Sequence, residues 1–182
     1  MLSNVIRKEE LDIDRRISVS FTGHRPEKLP WGWDESSPEC VDFKARLANE
    51  IEKAYSEGAR FFLSGMADGV DLYAAEAVLE LAKTRPDMKL IAVFPYGFGD
   101  SVRKRNIAGR AFAVVSICEY YKRECFMERN AYLIRHSQTV ICGYSGESAG
   151  GTAATMRMAQ RLGRRLTVVY TKRGIDNAFT DC

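Results

Sequence analysis

The stretch QTVICGYSGESAGGTAATMRMAQRL, residues 138–162, combines the three features that decide the fold. It begins with a short run of apolar residues that is typical of a parallel strand covered on both faces. A loop rich in glycine and hydroxyl side chains comes next, and Thr155, Met158, Ala159 and Leu162 then recur at helical spacing. The stretch therefore predicts a strand, a tight loop and a helix that packs back on a sheet.

The same pairing of an apolar run with a helical pattern recurs along nearly the whole chain. Phe43, Leu47 and Ile51 mark one such helix, and a weaker pattern predicts another at residues 100–111. Strands are predicted at residues 17–22, 59–63, 89–94, 113–118, 138–142 and 166–170. Because strands and helices alternate, the predicted fold class is α/β, a Rossmann-like, doubly wound and mainly parallel sheet with helices on both faces.

The 182 residues of the chain suffice for one domain. We predict a flexible N-terminal arm at residues 1–15, a single Rossmann-like domain at residues 16–172 and a C-terminal tail at residues 173–182. Hydrophobic residues make up 46% and charged residues 28%, which is ordinary for a soluble globular protein. The sequence shows neither an apolar run of the ~18 residues that a membrane span needs nor a signal peptide, so we expect a cytoplasmic protein without a membrane partner.

Charge and cysteine content argue against several other classes of protein. A net charge of +3 is too small to indicate a nucleic-acid partner, and no basic stripe is evident. The cysteines are odd in number and form no CxxC pair, so we expect reduced thiols rather than a disulfide framework or a zinc site, and no metal site. They are Cys40, Cys118, Cys125, Cys142 and Cys182. The sequence does not decide the oligomeric state, and a homo-oligomer is compatible with it.

The loops that follow the predicted strands form the candidate ligand site, because doubly wound sheets bind ligands beyond the carboxyl ends of their strands. Glycines let the backbone approach a ligand closely, and a helix N-terminus offers unpaired N–H groups to a phosphate. Neither a GxGxxG fingerprint nor a GxxxxGK[ST] loop is present. The convergence of several glycine-containing loops on one sheet edge predicts one concave site for a small nucleotide-type ligand. The candidate ligand-binding residues are Thr22, Gly23, His24, Arg25, Ser64, Gly65, Met66, Asp68, Gly69, Asp71, Pro95, Tyr96, Arg129, Gly143, Tyr144, Gly150, Gly151 and Thr152.

Some of these residues have a purely structural role as an alternative. Thr152 either donates to a phosphate oxygen or caps the helix that follows it. Asp68 and Asp71 either accept hydrogen bonds from ribose hydroxyls or stabilise a helix start. Arg25 either pairs with phosphate in bidentate fashion or forms salt bridges within a surface loop.

Three segments of the chain resemble the SLOG superfamily, named after the Smf/DprA and LOG proteins, and within it the YpsA-like branch of bacterial and phage proteins. They are SFTGHRPEKLPWG at residues 20–32, FFLSGMADGVDLYAAEAV at residues 61–78 and FMERNAYLIRHSQTVICGYSGESAGGTAATMRMAQ at residues 126–160. The resemblance implies a Rossmann-like sheet and a sensor or regulatory protein whose ligand is a nucleotide, ADP-ribose or an NAD derivative. The Gly-x-acid element of that branch matches residues 69–71, GVD.

The third segment also resembles the LOG phosphoribohydrolases, which cleave the N-glycosidic bond of nucleoside monophosphates. Residues 127–130, MERN, match the Met-x-x-Arg element of their helix, and residues 150–152, GGT, retain part of their PGGxGTxxE loop. The acidic residues of that loop fall on residues 153–155, AAT, which carry no carboxylate to assist glycosidic cleavage. The resemblance implies nucleotide hydrolysis as the alternative function, with candidate catalytic residues Arg129, Glu147 and Asp71. If Arg129 binds a phosphate, its guanidinium should point toward residues 150–152; otherwise it lies on a solvated helix face.

Overall fold

The computed structural model describes residues 3–98, 101–147 and 149–172, so the predicted tail at 173–182 lies outside the described residues. Within the described part, all strand pairs are parallel and form one sheet in the order β1-β5-β4-β3-β2-β6-β7. The strands are β1 (Val5–Ile6), β2 (Ser18–Gly23), β3 (Phe61–Ser64), β4 (Lys89–Tyr96), β5 (Ala113–Cys118), β6 (Thr139–Tyr144) and β7 (Arg165–Tyr170). The helices are α1 (Pro38–Ser56), α2 (Val70–Leu81), α3 (Val102–Arg110), α4 (Cys125–Arg135) and α5 (Gly151–Arg161).

Helices cover both faces of this sheet, as the sequence predicts. Alternate residues of a strand point to opposite faces, and in β4 Ala92 packs in the cluster that contains residues of α1, α2 and α3. Its neighbours Ile91 and Val93 pack on the other face, in the cluster that contains Leu133 of α4. The doubly wound, parallel α/β fold is therefore confirmed. None of the helices in the described part of the chain is long and apolar enough to cross a membrane.

The strand order reverses between β2 and β6, and a pair of glycines lies at that point. Gly23 and Gly143 face each other in the register of the two strands. A Cβ added to Gly23 would lie 2.5 Å from Cβ of Val70, and one added to Gly143 would lie 2.7 Å from Cγ2 of the same side chain. Because neither glycine has a side chain, the first residue of α2 packs directly on the carboxyl ends of both strands.

The N-terminal segment predicted as a flexible arm contributes an edge strand. Val5–Ile6 forms β1 and pairs in parallel with β5. The side-chain amide of Asn4 donates to the carbonyl oxygens of Ala108 and Ala111, 2.8 and 2.7 Å away. A strand of two residues is too short to show a periodicity of its own, so the sequence pattern did not reveal it. The predicted limits of the main domain, residues 16–172, stay a prediction.

Two of the cysteines are joined to each other. Cys118 at the end of β5 and Cys125 at the start of α4 form a disulfide, with their Cα atoms 6.0 Å apart. Cys40 and Cys142 are free and buried. The expectation of reduced thiols throughout is therefore wrong for this pair, because the fold returns the chain to the end of β5 after a short connection that no cysteine motif marks.

We expect Gly143→Ala to lower the free energy of unfolding by about 1–3 kcal/mol, the usual cost of overpacking. The new methyl group would meet both Cγ atoms of Val70 and Cζ of Phe43 within 2.9 Å. Urea denaturation measures the effect. Gly151→Ala is the matched control, because a Cβ there meets nothing within 4 Å, and we expect no loss of stability from it.

The cause of that loss can be tested in a Val70→Ala background. This change removes the two Cγ atoms that the new methyl group meets, while Phe43 remains. The cost of Gly143→Ala should therefore shrink without vanishing. An equal cost in both backgrounds would contradict the packing that we describe at the switch point.

Candidate functional site

Two adjoining cavities open at the carboxyl edge of the sheet. The first, here called the β2 cavity, has a volume of about 340 Å³ and is bordered by the end of β2 and the start of α5. The second, the β4 cavity, has a volume of about 630 Å³ and is bordered by the end of β4 and by α3. Both volumes fall in the range of small-molecule sites. Four residues border both cavities: Arg25, Ala67, Phe126 and Arg129.

Most of the predicted ligand-binding residues border one of these cavities or both. The β2 cavity is lined by Thr22, Gly23, His24, Arg25, Asp71, Arg129, Gly150, Gly151 and Thr152. The β4 cavity is lined by Arg25, Gly65, Met66, Asp68, Pro95, Tyr96 and Arg129. The loops thus lie together at one edge, but they form two cavities where the sequence predicts one concave site. Whether these residues bind a ligand stays a prediction.

Four of the predicted residues line neither cavity and instead support the loops. Ser64 donates from its hydroxyl to the Asp71 carbonyl, 2.8 Å away. Gly69 precedes α2 with φ +91°, and a Cβ there would lie 2.5 Å from the His24 carbonyl oxygen. Gly143 contacts Val70 at the switch point, and the buried Tyr144 donates from its hydroxyl to the Glu147 carbonyl oxygen.

The N-terminus of α5 forms one side of the β2 cavity. Gly150 precedes the helix with φ +101°, and no side chain of the described residues caps it. Of the two roles that the sequence allows for Thr152, the structure therefore does not show the helix cap. Lys28 Nζ lies 3.4 Å from the position that a Cβ of Gly150 would take. Uncapped N–H groups, the helix dipole and a nearby ammonium group make this end of the cavity favourable for an anion.

Arg129 and Asp71 form an ion pair buried between α4 and α2. Their side chains are only 7% and 8% exposed, and Arg129 Nη1 lies 3.1 Å from Asp71 Oδ2. Nη1 also donates to the Gly65 carbonyl oxygen, and Asp71 Oδ2 accepts from the Ala67 amide. Burial raises the pKa of Asp71 and lowers that of Arg129, while the opposite charge of each partner counteracts the shift.

This arrangement differs from the predicted direction of Arg129. Its Nη1 donates to Asp71 and Gly65 rather than to the turn at 150–152. The next residue, Asn130, is the one that reaches α5, where its amide donates to Thr155 Oγ1 at 3.0 Å. Arg129 still borders both cavities, and its buried Nε has no hydrogen-bond partner among the described residues. A buried guanidinium nitrogen without an acceptor is uncommon, so Arg129 retains a free donor.

The other acidic candidates, Glu147 and Asp68, are engaged in ion pairs with lysines. Glu147 Oε2 accepts from Lys28 Nζ at 3.0 Å, and both side chains are about half exposed. This hydrogen bond holds the pKa of Glu147 below its usual value. Glu147 borders neither cavity. Asp68, at the β4 cavity, pairs with Lys104 at 3.0 Å.

Aromatic side chains dominate the β4 cavity, and the sequence reasoning missed most of them. Phe94, Phe98 and Phe126 line it together with the predicted Tyr96. Tyr96 and Phe126 pack edge to face with ring centroids 6.0 Å apart. Phe126 is three residues before Arg129, so both share one helix face, and this spacing was the available signal.

Several charged residues at the cavities were also missed. Lys104 and Arg105 line the β4 cavity, and Glu27 and Lys28 line the β2 cavity. The first two belong to a basic cluster at residues 103–105, and the last two follow Arg25 in the same loop. Within the described ranges, no group of three or more His, Cys, Asp or Glu side chains is placed to hold a metal ion.

His24 connects the two loops that border the β2 cavity. Its Nε2 accepts from the Ser145 backbone amide at 3.1 Å, and Thr152 Oγ1 lies 3.4 Å from Nδ1. An amide can only donate, so the neutral ring carries its proton on Nδ1 and donates it to Thr152. Burial lowers the pKa of His24 from its ordinary value of 6.5. A second proton on Nε2 would end the hydrogen bond that this nitrogen accepts from the Ser145 amide and leave Ser145 Oγ, 2.8 Å away, as its acceptor.

Stability should therefore depend on the protonation of His24. The unfolded chain takes up its proton near pH 6.5, and the folded chain does so at a lower pH. This contribution is complete above about pH 6.5 and declines as the pH falls from there toward the folded-state pKa. We expect urea midpoints to fall over that window in the native chain and in His136→Gln, and to fall less in His24→Gln. The same pH dependence in all three proteins would contradict the role given to His24.

Comparisons with known proteins identify the family of this chain. The family model described as YpsA, YspA SLOG family, matches residues 19–172. A UPF0398 protein of Staphylococcus saprophyticus is 29% identical over 139 residues, which cover 71% of this chain and 73% of the relative. UPF0398 proteins of Bacillus thuringiensis and Bacillus cereus are each 26% identical over 155 residues, which cover 80% of this chain and 83% of each relative.

The matched region begins inside β2 and extends just past β7. It therefore contains the glycine pair at the switch point, the buried Arg129–Asp71 ion pair and every residue that lines the two cavities. On the strength of this match, the chain belongs to the YpsA-like SLOG family.

Proposed function

We propose that the two cavities together bind a nucleotide-type ligand, with a phosphate in the β2 cavity. The observation that carries this proposal is the meeting of an uncapped helix N-terminus with three cationic side chains at one cavity. The start of α5 lacks a side-chain cap, and Arg25, Lys28 and Arg129 line the same space. Backbone N–H groups and guanidinium groups are the donors that proteins use to hold phosphates.

The β4 cavity supplies a place for a base. Phe94, Tyr96, Phe98 and Phe126 present aromatic surface there, and Met66 adds a polarisable thioether. A flat aromatic base packs favourably against such rings. The larger of the two cavities is thus suited to the larger and less polar part of a nucleotide.

Arg25 stands where the two cavities meet. It lines both of them, and its guanidinium carbon lies 5.7 Å from the centre of the Phe126 ring. From this position it can contact a phosphate that connects the two ends of a ligand. A mononucleotide would place its base and its phosphate on either side of Arg25. ADP-ribose or an NAD derivative would place its diphosphate there.

Binding without catalysis fits the acidic groups better than hydrolysis does. The first turn of α5 has no acidic residue, Glu147 is paired with Lys28, and Asp71 is paired with Arg129. A LOG-like hydrolase stays the second candidate, because Arg129 matches the arginine of that family's helix and borders both cavities. We therefore infer a sensor or regulatory protein, and a cytoplasmic location is part of the same proposal.

Removing Arg25 should separate phosphate binding from base binding. We expect Arg25→Met to weaken binding of adenosine monophosphate by about ten- to a hundredfold, in line with ~1.5–3 kcal/mol for a hydrogen bond to a charged group. The affinity for adenosine, which has no phosphate, should fall by less than about threefold. Isothermal titration with both compounds measures the difference.

Arg161→Met is the matched control for Arg25→Met. It removes the same charge from an exposed residue at the opposite end of α5, far from the helix N-terminus. Both affinities should stay as in the native protein. Equal losses for the nucleotide and the nucleoside in Arg25→Met, or binding of neither compound by the native chain, would refute the placement of the phosphate.

The chain should release little or no free base from nucleoside monophosphates. The side chains that follow Gly151 and Thr152 in α5 provide no carboxylate to accept a proton or to stabilise a developing positive charge. The assay is release of adenine from adenosine monophosphate by the purified protein, with Glu147→Gln for comparison. Turnover near the ~10 per second of a median enzyme, abolished in Glu147→Gln, would favour the hydrolase.

A further inference from the structure

We propose that Cys118 and Cys125 form a reversible disulfide, exchanged with small-molecule thiols, that controls the order of the aromatic wall of the β4 cavity. The consequence for ligand affinity rests on the function proposed above. The inference comes from the position of the pair. One sulfur is at the end of a strand of the central sheet, and the other is on the first residue of the helix that carries Phe126 and Arg129.

The connection that the disulfide closes has few other restraints. Residues 119–124 are all exposed. Among the described residues, the ring of Tyr121 attaches them to the body of the protein, and it packs edge to face against Tyr96 and Phe126 with centroid distances of 5.1 and 6.4 Å. Tyr96 and Phe126 both line the β4 cavity, so Tyr121 forms the outer layer of its wall.

Cutting the disulfide removes the covalent restraint on that outer layer. Reduction lets residues 119–124 sample more conformations, and the entropy that they gain opposes the packing of Tyr121. Tyr121 itself is 64% exposed, so its ring contacts alone bury little surface. Phe126 follows Cys125 directly and would lose the same anchor. The wall is therefore expected to be ordered in the disulfide form and looser in the dithiol form.

The surroundings of the two sulfurs suit thiol exchange. Cys118 is half-buried and can be reached by a small thiol, whereas Cys125 is fully buried. In reduction, a small-molecule thiolate attacks Sγ of Cys118, the protein disulfide bond breaks, and Cys125 leaves as a thiolate at the N-terminus of α4. A second thiolate then attacks the mixed disulfide and releases Cys118.

The electrons and atoms of this exchange balance. In total, the protein disulfide and two small thiols become the protein dithiol and one small disulfide, and oxidation by a small disulfide is the reverse reaction. Cys40 and Cys142 do not take part, because both are free and buried and burial raises the pKa of each thiol. In a reducing compartment, disulfides of this kind are typically redox-sensing rather than structural.

The first test follows the disulfide and the wall without any ligand. The full chain with Cys182→Ser is equilibrated in glutathione buffers of different reduced-to-oxidised ratios, and its peptides are mapped. We expect a Cys118–Cys125 disulfide that appears and disappears with the ratio, while Cys40 and Cys142 stay free. In the reduced protein, amide hydrogen exchange at residues 119–126 should be at least tenfold faster, with little change elsewhere. No disulfide under oxidising conditions, or equal exchange in both states, would overturn the proposal.

The second test separates the redox effect from the proposed function. Adenosine monophosphate should bind about tenfold more weakly to the reduced than to the oxidised protein, and ribose 5-phosphate, which lacks a base, equally to both. Cys118→Ser should behave as the reduced protein in every buffer, and Cys40→Ala should keep the response. An equal loss of affinity for both ligands on reduction would indicate that the disulfide stabilises the structure in general, and it would refute control of the wall. If neither state binds adenosine monophosphate, the proposed function fails, and the exchange measurement alone decides the redox proposal.

Discussion

The site depends on one buried interaction, the ion pair between Arg129 and Asp71. It connects α4 to α2 across the carboxyl edge of the sheet, and the same guanidinium bonds the Gly65 carbonyl at the end of β3. A Cβ added to Gly65 would lie 1.9 Å from Arg129 Nη1, so the space for a side chain is occupied by the guanidinium. Because a buried charge that loses its partner costs about 3–5 kcal/mol, the three elements hold one another in place, and both cavities form around them.

Two further contacts turn neighbouring loops toward the same edge. The glycine pair at the switch point allows Val70 to seat the start of α2 against β2 and β6. His24 then joins the loop after β2 to both ends of the loop before α5, through Ser145 and Thr152. The N-terminus of α5 and the basic residues after β2 therefore face one space. A helix N-terminus and cationic side chains in one cavity are more favourable for an anion than either is alone.

Two acidic candidates of the site are held by cationic partners. Asp71 is needed to neutralise Arg129, and Glu147 is held by Lys28 outside both cavities. The cationic side chains of the β2 cavity and the aromatic rings of the β4 cavity meet at Arg25 and Phe126. This arrangement can hold a ligand at two chemically different ends.

The sequence by itself determined the parallel α/β fold, the positions of the main strands and helices, and the sheet edge at which the glycine-containing loops gather. Apolar runs, helical spacing and glycine loops are local patterns, and one chain of this kind has few ways to bury them. Only the tertiary structure decided that the edge contains two cavities, that Arg129 turns to Asp71, and that Cys118 meets Cys125. These features depend on the distances and orientations that folding gives to side chains on separate elements, and a pattern along the chain does not contain them.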